Sequence, residues 1–269
     1  MKISYMFFVF KGGTIMKIKY KIFNPAGNIT ALVIGDDYTI EERKIINDKI
    51  MEKETDVEQV GFLSNKENRL TMAGGEFCGN GARCAALYYI NEKKIDNINL
   101  KINNEELSAG IDKNMKIWCE IPLEEYKITQ VDENIYKIKL KGITILVISD
   151  IKQYKNLKES SKELIKYYNI DDSAVGVMFV ERLEEYIKIY PIVWVKEIDT
   201  FFFENACGSG TIAVTMLESY IINNSGTYKV EQPSREFLET EIIIKDSIIT
   251  SAILKGRIGV DLRIKEITI

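Results

Sequence analysis

The sequence predicts an α/β protein, of the α+β type, made of two similar halves, and three features lead to that prediction. A cysteine stands directly before Gly-x-Gly at two points 129 residues apart, Cys78 and Cys207, and a helix-forming stretch follows each. Alternating β-branched residues, typical of half-buried strands, surround both motifs. The strand pattern of residues 20–34 returns at residues 136–148. Together these features indicate an internal duplication, with a ligand cleft between the halves.

The elements of the first half follow from local patterns. Alternation through Ile18, Tyr20 and Ile22 predicts a strand, and the run Asn24-Pro25-Ala26-Gly27 predicts the turn that follows it. Helical spacing of isoleucines predicts a helix over residues 40–53. The other predicted elements are strands at residues 29–34, 57–63, 69–72, 97–102 and 115–121 and a helix at residues 82–90.

The second half repeats this plan. Its predicted elements are strands at residues 136–138, 142–148 and 175–181, helices at residues 156–168 and 211–222, and a β-rich tail at residues 241–269. We therefore expect domains at residues 16–127 and 128–269, with the last strand returning to the first domain. Residues 1–15 are predicted to be a non-native or disordered extension, because Lys11-Gly12-Gly13 resembles a translated ribosome-binding site ahead of Met16. An added edge strand is the alternative.

Composition excludes several classes of protein. The chain has 269 residues, of which 46% are hydrophobic and 28% charged, enough for a substantial core. A net charge of −4 gives no basis for binding nucleic acid or an anionic membrane. The four cysteines lack a disulfide-like spacing, which predicts a cytoplasmic protein. With no histidine and no Cys-x-x-Cys pair, no metal site is predicted.

The paired cysteine motifs indicate an anion site between two thiols. A cysteine at the start of a helix lies over unpaired N–H groups and the positive end of the helix dipole. This position is expected to lower the thiol pKa below the free value of about 8.5. The glycines allow backbone N–H groups to approach an anion closely. Two such sites predict facing thiols with a substrate carboxylate held between them.

The motifs carry a family resemblance over nearly the whole chain from Met16. Gly27-Asn28, Glu58-Gln59, the run from Glu76 through Cys78-Gly79-Asn80-Gly81-Ala82-Arg83-Cys84, and Ala206-Cys207-Gly208-Ser209-Gly210 resemble the diaminopimelate epimerase family. The resemblance implies two pseudo-symmetric domains, each a mainly antiparallel curled sheet around a central helix, with the active site in the cleft. It also implies a racemase or epimerase that uses no pyridoxal phosphate or other cofactor. One cysteine removes the α-proton as a thiolate and the other donates a proton to the opposite face.

The resemblance also assigns roles to individual residues. Cys78 and Cys207 are expected to be catalytic, whereas Cys84 and Cys119 are expected in the core. Glu76 is expected to hold its loop in place, and Arg83 is expected to be structural. The predicted substrate-binding residues are Asn28, Gln59, Gly79, Asn80, Glu204, Gly208, Ser209 and Gly210.

The chain departs from the epimerases where they hold the second amino-acid centre of diaminopimelate. Asp199 stands at the position of their arginine, and Met72, Ile143 and Met178 stand at or near the positions of their asparagines. An unpaired distal carboxylate and ammonium would cost several kcal/mol each, which disfavours diaminopimelate and lanthionine. The chain more closely resembles the branch that racemises histidine in bacterial metallophore pathways, although it keeps the run Gly81 to Cys84, which that branch alters. An apolar pocket with one or two acids suits an imidazole ring.

The motifs leave four alternatives to a histidine racemase. A diaminopimelate or lanthionine epimerase and a racemase of broader specificity are the nearest alternatives. The isomerases of phenazine pathways use an acidic residue and lack the paired cysteines. An amino-acid-binding module with this fold would bind without exchanging the α-proton. The expected partner is a small-molecule amino-acid substrate, and a homodimer is compatible with the sequence.

Overall fold

The computed structural model describes residues 16–35, 37–64, 66–124, 126–196 and 200–269. The predicted N-terminal extension at residues 1–15 and the predicted specificity residue Asp199 lie outside the described residues. Among the helices that are described, none is both long and apolar enough to cross a membrane.

The first half of the chain forms a sheet of seven strands with two helices. Its elements are β1 (Lys17–Asn24), β2 (Thr30–Gly35), α1 (Ile40–Lys53), β3 (Gln59–Ser64), β4 (Arg69–Met72), α2 (Gly79–Lys93), β5 (Asn97–Ile102), β6 (Glu105–Ile111) and β7 (Ile117–Glu120). Strands β2 and β3 pair in parallel, as do β4 and β5, and the remaining neighbours in this half are antiparallel. Thr39 begins α1 with a capping box in which its side chain and that of Glu42 each bind the other's backbone N–H.

The second half repeats this pairing in the same order. Its elements are β8 (Lys127–Asp132), β9 (Ile135–Leu140), β10 (Ile143–Ile148), α3 (Leu157–Tyr167), β11 (Ala174–Arg182), β12 (Ile187–Val195), β13 (Thr200–Phe203), α4 (Gly208–Ile222), β14 (Gly226–Glu231), β15 (Phe237–Lys245), β16 (Ile248–Gly256), β17 (Gly259–Val260) and β18 (Lys265–Thr268). The parallel pairs are β10 with β11 and β12 with β14, matching the first half. The predicted α+β class with two pseudo-symmetric, mainly antiparallel units is confirmed.

Helices α2 and α4 are the central helices of the two halves. Both are buried over most of their length, because small and apolar residues occupy nearly every side of them. Each ends at a left-handed residue, Lys94 with φ 55° and Asn223 with φ 50°. Each begins three residues earlier than predicted, at Gly79 and Gly208. The Gly-x-Gly run, interpreted as a loop from sequence, forms the first helical turn.

Strand pairing and side-chain hydrogen bonds both join the halves. Strand β7 pairs antiparallel with β16, which aligns Cys119 with Leu254 and Ile117 with Gly256. Strands β17 and β18 return to pair with β1. The Ser234 hydroxyl donates to the Ala26 carbonyl at 2.6 Å. The domain division predicted at residues 127 and 128 falls where β8 begins, and it stays a prediction.

Strands β6, β8, β12, β13 and β14 were not predicted individually. β6 begins with two glutamates and β8 is largely exposed, so neither presents the apolar alternation of a half-buried strand. β12 contains Pro191, which lies opposite Met178 in the antiparallel ladder. Proline is uncommon inside strands, which weakens the sequence signal there.

Candidate active site

Each of the two predicted catalytic cysteines is the N-cap of a central helix. Both have extended backbone conformations, with φ and ψ of −131° and 113° at Cys78 and of −117° and 106° at Cys207. The Cys78 Sγ accepts a hydrogen bond from the Gly81 N–H at 3.3 Å, and the Cys207 Sγ accepts one from the Gly210 N–H at 3.3 Å. Each sulfur therefore occupies the position of a capping oxygen.

A methionine packs beneath each cysteine turn. A Cβ at Gly81 would lie 2.8 Å from the Met72 Sδ, and a Cβ at Gly210 would collide with the Met178 Sδ. Both methionines are fully buried, and each also packs against a strand glycine, Gly61 or Gly176. Met72 and Met178 are therefore core residues that pack beneath the thiols, and their side chains do not face solvent. Ile143, the third apolar substitution, is partly buried against the core of the second half.

The first turns of α2 and α4 lie against each other. A Cβ at Gly208 would lie 3.4 Å from the Asn80 Oδ1 and 3.1 Å from the Leu254 Cδ2. A Cβ at Gly79 would lie 3.0 Å from the same Leu254 atom. A side chain at either position would be tighter than ordinary van der Waals contact, so the glycines allow this close packing around Leu254. The positive ends of two helix dipoles consequently meet in one place, which favours a bound anion.

Predicted substrate-binding residues form a chain of hydrogen bonds on the Cys78 side. The Cys78 thiol donates to the Gln59 Oε1 at 3.2 Å, and the Gln59 Nε2 donates to the Asn28 Oδ1 at 2.5 Å. The Asn28 amide then donates to Glu58 at 2.7 Å. From the other half, the Asn205 amide donates to the second oxygen of Glu58, also at 2.7 Å. Glu58 therefore connects the two halves beside the thiol.

On the Cys207 side, predicted and unpredicted residues meet. The Glu204 carboxyl group forms a hydrogen bond with the Cys207 thiol, and the Ser209 Oγ lies 3.5 Å from the Cys207 Sγ. The Cys207 N–H donates to the buried Gln232 Oε1 at 3.0 Å. Gln232 also donates to the Thr211 hydroxyl, which donates back to the Cys207 carbonyl. Hydrogen bonds therefore hold both the N–H and the carbonyl group of Cys207 in place.

Sequence reasoning missed three polar residues of this site. Glu58 stands beside Gln59 in a motif of the family resemblance, and this position was a usable signal for a site residue. Asn205 stands beside Glu204 in the motif that precedes Cys207 and gave the same kind of signal, whereas Gln232, in the turn after β14, gave none. Only the folded chain brings Gln232 to Cys207.

The expected lowering of the thiol pKa values is wrong for the ligand-free molecule. Burial raises the pKa of Cys78 to about 11, more than the N–H of Gly81 and the Gln59 amide lower it. Burial and the neighbouring Glu204 carboxylate raise the pKa of Cys207 well above its ordinary value. Both thiols are therefore neutral at pH 7. The helix dipoles favour the thiolate form, but the removal of the thiols from water raises their pKa by more than the dipoles lower it.

Glu204 has a perturbed pKa beside the second cysteine. Burial, with a smaller contribution from the charge of Glu58, raises the pKa of Glu204 from 4.5 to about 7. It can therefore exchange a proton near neutral pH, as acid–base groups in active sites do. Cys84 and Cys119 are fully buried, and burial raises their thiol pKa values too, for Cys119 to about 12. No cluster of three or more metal-ligating side chains occurs among the residues that the structure covers.

Comparison with known protein families identifies close relatives. The family model described as "Histidine racemase CntK N-terminal domain" matches residues 17–261. A histidine racemase of Fusobacterium nucleatum is 33% identical, over 82% of this chain and 89% of the relative. A histidine racemase of Staphylococcus aureus is 23% identical, over 83% of this chain and 88% of the relative.

Solved structures with similar folds have low sequence identity. A phenazine biosynthesis protein of Enterococcus faecalis superimposes with a TM-score of 0.62 at 12% identity, covering 94% of this chain and 99% of that one. A hydroxyproline epimerase of Agrobacterium vitis gives a TM-score of 0.61 at 10% identity, covering 94% and 93%. These likenesses establish the two-domain fold, while the family model and the Fusobacterium relative establish the family. The chain therefore belongs to the histidine racemase family of isomerases.

Proposed function

We propose that this protein interconverts L- and D-histidine by moving a proton from one face of the α-carbon to the other, with Cys78 and Cys207 as the two acid–base groups. The observation that carries the proposal is the pair of thiols, each capping one of two helices whose first turns touch. No cofactor takes part in the proposed reaction. The α-proton is very weakly acidic, so the site must stabilise the carbanion strongly.

The carboxylate of the substrate would bind where the two helices meet. The N–H groups of Gly79, Asn80, Gly208 and Ser209 lie in the unpaired first turns, and such groups bind anions. The Gly210 N–H, which donates to the Cys207 sulfur, would be shared between that sulfur and the carboxylate. Negative charge grows on this carboxylate as the α-proton leaves, so the same N–H groups stabilise the transition state more than the ground state. The ammonium group would be held by Asn28, Gln59 and the carboxylates of Glu58 and Glu204.

Glu204 would accept the proton that activates Cys207. In the ligand-free molecule both thiols are neutral, so one must first lose a proton. The thiol proton of Cys207 passes to the ionised Glu204 carboxylate, and the resulting thiolate takes the α-proton. The Cys78 thiol then donates its proton to the opposite face, which leaves Cys78 as the thiolate. The protein is now prepared for the reverse reaction, and proton exchange with solvent restores the starting state.

This role predicts a pH dependence. With a pKa raised to about 7, Glu204 is mostly protonated at pH 6 and mostly ionised at pH 8. We expect kcat/KM for histidine to rise with pH through about 7, since only the carboxylate accepts a proton. Glu204→Gln should remove this rise and lower kcat/KM on the order of a hundredfold. The measurement is kcat/KM for both enantiomers between pH 5 and 9.

The stability of the protein gives an independent readout for Glu204. Because the folded-state pKa is raised, the folded protein binds more protons than the unfolded chain between pH 4.5 and 7, and its free energy of unfolding falls as pH rises through that window. Glu204→Gln should abolish this decline, whereas Glu185→Gln, an exposed acid in the β11–β12 turn, should change neither profile. An unchanged kcat/KM profile in Glu204→Gln would exclude Glu204 as the group that titrates.

Histidine is favoured over the alternatives by the side chains around Glu204. Phe202 and Phe203 precede it on β13 and are about half exposed, at 45% and 50%. Aromatic rings and a carboxyl group suit a flat, partly polar imidazole ring. No cationic residue lies between Lys196 and Cys207 to bind a second carboxylate. We further propose that the enzyme is cytoplasmic and that its partner is this small-molecule substrate. A homodimer stays an expectation.

A panel of L-amino acids in deuterated water tests the proposal. Purified protein without added pyridoxal phosphate should exchange the α-proton of L-histidine and form D-histidine, while LL-diaminopimelate, lanthionine and proline remain largely unchanged. The double variant Cys78→Ser, Cys207→Ser is the control for exchange by trace contaminants. Binding of histidine without exchange would instead indicate a binding protein, and comparable exchange of many amino acids would indicate a racemase of broad specificity.

A further inference from the structure

The side chain of Arg83 is a buried cation without a matching anion. It lies one turn into α2 and is fully buried. Its Nη2 donates to the Asn80 Oδ1 at 2.8 Å, whereas its Nε and Nη1 have no hydrogen-bond partner. None of the ion pairs between described residues includes it. A buried guanidinium that lacks an anion and leaves two nitrogens without hydrogen bonds opposes folding. Apolar replacements of buried charges are often neutral or stabilising. Stability therefore does not account for this residue.

Arg83 lies at the seam between the two halves. A Cβ at Gly256 would lie 2.9 Å from the Arg83 Nη1, and Gly256 aligns with Ile117 where β16 of one half pairs with β7 of the other. The guanidinium thus reaches from the base of α2 to the strand that crosses between the halves. Among the described residues, the side-chain hydrogen bond of Arg83 to a cysteine turn is the one to Asn80.

The contact with Arg83 fixes the orientation of the Asn80 side chain. A guanidinium only donates hydrogen bonds, so the amide oxygen of Asn80 must face it, and the amide nitrogen must face away. That nitrogen donates to the Ala206 carbonyl at 3.3 Å, 126 residues along the chain. The Ala206 carbonyl belongs to the same peptide unit as the Cys207 N–H. A continuous path therefore runs from Arg83 through Asn80 to the backbone of the second cysteine.

We propose that Arg83 is a positioning residue for the racemase reaction, which holds Asn80 as a crosslink between the two cysteine turns and so sets the separation and alignment of the thiols across the substrate. The inference rests on the proposed function. A two-base reaction requires both sulfurs to reach one carbon from opposite faces, and small displacements of a catalytic group can lower the rate about a hundredfold. Arg83 acts through Asn80 and does not itself touch the substrate.

The variants Arg83→Met and Arg83→Lys test this role. Methionine fills similar space without charge or donors, so Arg83→Met should unfold at the same or a higher temperature than the unchanged protein. Its kcat for histidine should nevertheless fall about a hundredfold, with KM changed less. Lysine keeps the charge and one donor toward Asn80, so Arg83→Lys should recover about tenfold of that loss. Cys84→Ala, a change at the adjacent buried position of α2, is the matched control and should keep kcat within about threefold.

A second readout distinguishes alignment from general damage. In deuterated water, the ratio of α-proton exchange with retained configuration to inversion reports whether both thiols reach the same carbon. Misaligned thiols should raise this ratio at least about fivefold in Arg83→Met, because one thiol can still remove the α-proton, exchange it with the solvent and return a deuteron to the same face.

The outcomes separate this inference from the proposed function. Near-normal kcat in Arg83→Met would overturn the positioning role. An unchanged exchange-to-inversion ratio would also overturn the positioning role. Failure of both Arg83 variants to fold would overturn it too, and would mean that Arg83 is needed for folding. If the unchanged protein exchanges no α-proton of histidine, the proposed function fails before Arg83 is tested at all.

Discussion

Replacing the thiol of Cys78 or Cys207 with a hydroxyl is expected to lower histidine racemisation by on the order of a thousandfold. Burial already raises the pKa of Cys78 to about 11 and that of Cys207 well above its ordinary value. A serine hydroxyl at either site would be harder still to ionise, and it could not serve as the base. The proposed reaction uses one thiol as base and the other as acid in each direction, so Cys78→Ser and Cys207→Ser should each be nearly inactive.

The fold should tolerate both changes. Each cysteine is an N-cap, and serine is among the residues most favoured at that position. The thermal unfolding midpoints should therefore stay close to that of the unchanged protein. Racemisation is followed in both directions by polarimetry or chiral chromatography, with Cys119→Ala as the control for a buried cysteine outside the site. Retention of more than about a tenth of the unchanged rate in either serine variant would remove that cysteine from the two-base scheme.

Selectivity for histidine over LL-diaminopimelate is expected to reach at least about a hundredfold in kcat/KM, or roughly 2.7 kcal/mol at the transition state. Diaminopimelate carries a second ammonium and a second carboxylate, and the latter needs a cation. The Arg83 side chain is fully buried at the seam between the halves, so it cannot reach a distal carboxylate. Met72 and Met178 fill the space under the thiols with apolar packing.

The comparison of kcat/KM for L-histidine and LL-diaminopimelate on the unchanged protein decides this point. Asp199→Arg serves as the companion variant, because it restores a cation where the epimerases have one. We expect it to weaken histidine turnover without creating substantial diaminopimelate activity, since the asparagines of the epimerases would still be missing. Equal or faster turnover of diaminopimelate by the unchanged protein would mean that the pocket is that of an unusual epimerase.

Local sequence signals determined much of the architecture. The run Cys-Gly-x-Gly identified both central helices, because a capping residue, flexible glycines and an apolar stretch all act within one or two turns of the chain. Its recurrence with the surrounding strands revealed the duplication and led to the family. Asn28, Gln59 and Glu204 could be assigned because they match the family resemblance. The structure brings Gln59 and Glu204 to a thiol and Asn28 to Gln59. Their roles in catalysis and binding stay predictions.

Properties that depend on distant residues were decided only by the folded chain. The sequence places each cysteine at a helix end and so predicts a lowered thiol pKa. The burial that raises the pKa instead is visible only in the folded chain. Glu58, Asn205 and Gln232 reach the site through hydrogen bonds between residues 25 to 147 positions apart. The sequence alone gave Arg83 a structural role, and the path through Asn80 to Ala206 gives it a different one. Burial and crosslinking arise when the two halves pack together, so no local pattern encodes them.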